Sequence, residues 1–124
     1  MPETYKQNDS HDWLGDAAEA YVRYCFAADD FEVFGSGKWA VDAAVRDRES
    51  GRWWRVEVKS TDHPQKRPGR KSLDQLSEKA ELFAQVRIVR GKPITLRLTK
   101  LREDDRGEGC FVEDKGDIKK FLEK

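Results

Sequence analysis

In the stretch WWRVEVKSTD, residues 53–62, a carboxylate and an ammonium, Glu57 and Lys59, stand two residues apart inside a run that otherwise suits a buried strand. Side chains two apart on a strand share a face, so Arg55, Glu57 and Lys59 make a charged row while Trp54, Val56 and Val58 make an apolar one. Upstream, Val41, Ala43 and Val45 alternate with Asp42, Ala44 and Arg46. If the two runs pair as a hairpin about the turn at 48–52, Asp42 comes to lie beside Glu57 on one sheet face. Neighbouring carboxylates repel, and one pKa rises, unless a cation sits between them. Their hard oxygens suit Mg²⁺, which binds one or two carboxylates, keeps several waters and takes a substrate phosphate. Such a site is competent to hydrolyse a phosphodiester, because the metal polarises the phosphate and helps deprotonate the attacking water. Lys59 would position that water or neutralise the charge that develops on phosphorus oxygens. The bland alternative is a solvated Glu–Lys pair worth under about 1 kcal/mol.

The elements that must position these groups follow from periodicity. From about 12 to 28, Leu14, Ala17, Ala18, Tyr21, Val22, Cys25 and Phe26 recur at spacings of three and four, an amphipathic helix with Ser10 or Asp12 as its cap. Glu19 borders that stripe one turn after Gly15, placed to send its carboxylate into a cleft beside the helix. A strand, a kink at 35–37 and a second strand centred on 41–45 come next, then the 53–61 strand. The segment 62–71, DHPQKRPGRK, has two prolines and a glycine and no periodicity, and is expected to be a mobile basic loop. Ser72 or Asp74 is expected to cap a second helix running to about Gln85, with Leu73, Leu76, Ala80, Phe83 and Ala84 as its stripe. Residues 94–101 alternate as a strand, GCFVE suggests a last short one, and DIKKFLEK closes the sequence as a helix with Ile118, Phe121 and Leu122 inward.

Composition narrows the class. A length of 124 residues suits one domain with one core, and residues 1–10 are polar enough to be expected disordered. No run approaches a membrane span or a signal-peptide core, so an intracellular protein without a membrane partner is expected. Cys25 and Cys110 lack metal-ligand or disulfide-framework spacing, and His11 and His63 are isolated. Formal net charge is zero, yet residues 1–32 carry two basic and eight acidic groups, 52–71 carry seven basic and two acidic, and 87–102 carry six basic and none acidic. Screening confines each charge to about 8 Å, so such segments can meet phosphates despite the neutral total. Lys66, Arg67, Arg70 and Lys71 suit a phosphate clamp, and Gln75 a contact to a substrate backbone, with a solvated basic surface as the alternative. Trp39, Trp53 and Trp54 are expected mainly as core or hairpin cover.

The pattern GDAAE (15–19), VD (41–42) and VEVKS (56–60) resembles the PD-(D/E)xK nuclease superfamily, over about residues 12–101, with Val41 where the motif's proline would stand. Within it the chain looks most like archaeal Holliday-junction resolvases, through the helical GxxxE, the GSG before the aspartate, the VEVK strand and QLSEKAELFA in the following helix. The resemblance implies an α/β, restriction-endonuclease-like fold, a central mixed β-sheet flanked by α-helices. It implies Mg²⁺, with Mn²⁺ as a substitute, held by Asp42, Glu57 and the Val58 carbonyl, with Lys59 as catalytic lysine and Glu19 as auxiliary acid. It also places Ser36 near a phosphate beside the metal, with a turn-forming serine between glycines as the alternative, and Lys38 is expected among the DNA-binding residues. The partner expected is DNA, branched if the likeness to resolvases holds, and the assembly a homodimer, because junction cleavage needs two active sites. The alternatives are a sequence-specific restriction, homing or repair endonuclease on this fold, and a non-catalytic nucleic-acid-binding domain.

Overall fold

The computed structural model describes residues 2–35 and 42–123, with α1 side chains from Trp13 onward. The order is α1 (Pro2–Ala28), β1 (Phe31–Gly35), β2 (Ala43–Asp47), β3 (Trp53–Thr61), α2 (Arg70–Ser77), β4 (Leu82–Arg87), β5 (Thr95–Lys100), β6 (Gly109–Val112) and α3 (Asp117–Glu123). The strands form one six-stranded sheet in sequential order, antiparallel throughout except for the β3–β4 pair. That parallel pair requires a crossover, which the 62–69 segment and α2 supply. The chain is therefore α/β, with a mixed sheet carrying helices on both faces.

The faces differ in what covers them. On one, Ala18, Val22 and Phe26 of α1, four residues apart, join Val45, Val56, Leu82, Ala84, Leu96 and Leu98 of the strands and Ile118, Phe121 and Leu122 of α3. On the other, Leu73 of α2 packs with Ala80, Phe83 and Leu101, and Leu76 lies against them. Asp29 ties the end of α1 to α3. Its buried carboxylate accepts the backbone N–H groups of Gly116, Ile118 (3.0 Å) and Lys119 (3.2 Å), capping the short C-terminal helix from a distant part of the chain. Asp30 follows with φ 70°, in the left-handed region that aspartate tolerates, and turns the chain into β1.

Several expectations change. The first helix runs through Ser10 and Asp12 instead of starting at them, and residues 2–10 are helical. The second helix ends at Ser77, and Phe83 and Ala84 belong to β4, not to a helical stripe. The physical reason is burial on both faces: Leu82, Ala84 and Val86 face the α1 side while Phe83 faces α2, so the run shows no simple alternation and can be read at either period. QLSEKAELFA thus spans a helix end, a turn and a strand start. The kink at 35–37 and Trp39 fall largely outside the described residues.

Candidate active site at the β2–β3 fork

β3 is nine residues long, but β2 pairs only with its first four, Trp53–Val56. Beyond Val56 the strand pairs, among the described residues, with β4 alone, so within them its other edge opens at Glu57. Asp42 stands at that opening, immediately before β2. Its carboxylate accepts the Val58 N–H at 2.8 Å, a backbone donor that the shortened β2 leaves without a strand partner. The ladder ends at Ala43↔Val56, so Asp42 and Glu57 are the residues that directly follow its last pair on either strand. The side chain that ends the ladder is therefore the acid expected beside Glu57.

Glu19 reaches the same place from α1. Its carboxyl pKa is raised, first by desolvation, then by the negative charge of Asp42, with Asp16 and Glu57 adding and Arg23 opposing. The fork thus gathers acidic charge from a helix, a strand start and a strand interior. Glu57 is half-buried and lines a cleft of about 650 Å³ between the sheet and α2, together with Lys59, Ser72, Gln75, Lys79 and Gln85. Lys59 is exposed and makes no hydrogen bond or ion pair with the described residues, so its ammonium is free to act on a ligand. Gln75 also faces the cleft, from the middle of α2.

Lys79 joins the site only through the fold. Its Nζ lies 3.4 Å from Glu57 Oε2, reaching back from the turn after α2. The only sequence signal for it was a basic residue in QLSEKAELFA, and reading that segment as one helix hid the turn. Among the described residues no group of three or more His, Cys, Asp or Glu is clustered to hold a metal ion. Mg²⁺ does not need such a cage, because one or two carboxylates suffice while water and substrate oxygens complete its shell. The hard-oxygen set of Asp42, Glu57 and the Val58 carbonyl fits it, and the acidic crowding felt by Glu19 gives a cation a reason to bind there.

The basic loop is placed differently from the expectation of free movement. Gln65 Nε2 donates to the carbonyls of Gln85 (2.9 Å) and Thr95 (2.8 Å), while its Oε1 accepts from Thr95 Oγ1 (2.8 Å). That anchor carries the segment over β4 and β5, leaving Lys66, Arg67, Arg70 and Lys71 exposed. Trp54 is core and Trp53 is exposed against Phe34, their rings 5.1 Å apart. His63 is exposed beside Asp62, and among the described residues Cys25 and Cys110 form no disulfide. Ser36 and Lys38 lie outside the described residues. No family model, curated protein or solved structure matches the chain.

Proposed function

We propose that the protein is a Mg²⁺-dependent endonuclease that hydrolyses DNA phosphodiesters to 5′-phosphate and 3′-hydroxyl ends at the β2–β3 fork. The observation that carries the reading is the convergence of Asp42 on the amide between Glu57 and Lys59, with Glu19 close enough to feel both acids. The resemblance to PD-(D/E)xK nucleases supports it from the sequence. When bound, the metal would polarise the scissile phosphate and lower the pKa of a coordinated water. The residues supply the rest. Asp42 and Glu57 hold the ion, the Val58 N–H fixes the Asp42 carboxylate, and Lys59 presents its charge to the oxygens that become more negative in the transition state. Glu19, its pKa raised by desolvation and by the charge of Asp42, is suited to exchange a proton with solvent beside the fork.

A branched DNA substrate and a homodimer belong to the same proposal, supported by the exposed basic side chains of Lys66, Arg67, Arg70 and Lys71 and by one candidate site per chain. The ion pair of Lys79 with Glu57 favours a second reading, a non-catalytic nucleic-acid-binding domain whose acid is neutralised by an ammonium in place of a metal. Incubation of a four-way junction and a linear duplex with wild type and Lys59→Ala in Mg²⁺ separates the readings. The nuclease reading expects cleavage by wild type and a loss of about 10²-fold or more in the variant. Equal cleavage of junction and duplex removes the junction preference, and no cleavage of any DNA form leaves the binding domain.

A further inference from the structure

Two arginines on the cleft side of the sheet come together with no acid paired to either among the described residues. Lys59, Gln85 and Arg97 are successive cross-strand partners on β3, β4 and β5, so Arg97 lies two strands from Lys59 in the same row of the same face. Its Nη1 donates to Thr99 Oγ1 at 2.6 Å, and the guanidinium lies across Gly109, where a Cβ would come 2.6 Å from its Cζ. Arg67 is delivered beside it by the Gln65 anchor two residues earlier, and its guanidinium lies across Gly107, 2.6 Å from where a Cβ would stand. The two glycines of GEG, 107–109, thus leave the floor on which both planar groups rest. Arg97 is held below the usual guanidinium range first by desolvation, with the Cys110 thiol opposing and the positive charge of Arg67 adding to the lowering. Neither arginine has a carboxylate partner among the described residues.

Like charges brought together and partly desolvated are a cost unless an anion offsets them, and paired guanidinium forks match the oxygens of a phosphate. We infer that Arg67 and Arg97 form a phosphate seat that holds a non-scissile backbone phosphate of the nucleic acid whose neighbouring linkage lies at Lys59. The inference rests on the proposed function for its ligand, and it assigns the direction of the strand: along the Lys59–Gln85–Arg97 row toward β6. Gly109 is the specific part of the device, because its φ does not require glycine and the three atoms nearest its Cβ position all belong to the Arg97 guanidinium.

The test is binding of a fluorescein-labelled DNA duplex in EDTA, read by anisotropy over a range of salt, so that no cleavage contributes. Arg67→Ala and Gly109→Ala are each expected to weaken binding about tenfold, and the pair to lower the slope of log K against log salt by about one phosphate's worth. Gly109→Ala acts by pushing aside the end of a flexible side chain, so its melting temperature is expected to match wild type. Lys115→Ala, which removes an exposed charge on the turn before α3, is expected to bind as wild type. The seat is overturned if both variants bind with wild-type affinity and slope, if Lys115→Ala weakens binding equally, or if the wild-type protein binds no DNA. Binding with the expected variant losses but no cleavage in Mg²⁺ would sink the hydrolytic reading and keep the seat. Cleavage with unaffected variants would do the reverse.

Discussion

Replacing Lys79 by alanine asks whether the acid at the centre of the site is meant for an ammonium or for a divalent cation. Lys79 Nζ sits 3.4 Å from Glu57 Oε2, and the side chains are 52 % and 23 % exposed. At that separation a unit pair is worth about 1 kcal/mol at the dielectric of water and about 5 kcal/mol at an effective value of 20. With the lysine half in solvent, and with the rotamer entropy it must give up, the measured range for exposed pairs applies, about 0.2–1 kcal/mol. Removing it therefore lowers the Mg²⁺ concentration for half-maximal activity by at most about fivefold, and direct Mg²⁺ binding tightens by the same factor. The assay is a Mg²⁺ titration of plasmid nicking at fixed ionic strength, paired with calorimetric Mg²⁺ binding. An unchanged or higher half-saturation point in both would refute the idea that a cation and Lys79 compete for Glu57.

Other outcomes follow from the framework around the site. Asp29→Ala removes three backbone donors' shared acceptor at the α1–α3 junction, and is expected to cost about 3 kcal/mol and lower the melting temperature by roughly 10–15 °C, with Asn intermediate. A shift of a degree or two by circular dichroism would show that α3 is capped in some other way. Glu19→Gln tests the crowded acid by pH in EDTA. Because the folded carboxyl pKa lies above its ordinary value of 4.5, ionisation penalises the native state. That penalty is absent below about 4.5, grows as pH rises through the folded pKa and is complete above it, so the variant should melt higher than wild type at pH 7 and alike at pH 4. A lower melting temperature at pH 7 would contradict the assignment.

Much of the framework was legible because local pattern and tertiary burial agreed. β3 was expected at 53–61 and is found at Trp53–Thr61, since one buried and one charged face give clean alternation. The closing helix and its inward Ile118, Phe121 and Leu122 were legible for the same reason. β4 was not, because burial on both faces erases the alternation that distinguishes strand from helix. At the site, hairpin register brings Asp42 toward the Glu57 end of β3, but the ladder stops at Ala43 and Val56, and the bond of Asp42 to the Val58 N–H depends on β2 beginning one residue later. Lys79 and Arg97 were illegible as site residues, since each acquires meaning only through a neighbour brought close by the crossover or the sheet. Ordinary basic residues in sequence became specific ones only through the Gln65 anchor and the two open glycines.

The measurement that reaches the central claim most directly is the initial rate at which supercoiled plasmid is nicked by wild type and by Asp42→Asn, in Mg²⁺ and in EDTA, with the ends of the products analysed. Asparagine keeps an oxygen to accept the Val58 N–H and so preserves the fork while removing the charge proposed to hold the ion. Wild type is expected to nick in Mg²⁺ with 5′-phosphate and 3′-hydroxyl ends and not at all in EDTA, and Asp42→Asn to nick at a rate at least about 10²-fold lower at an unchanged melting temperature. Nicking by wild type that persists in EDTA, or an Asp42→Asn variant as active as wild type, would contradict the central claim.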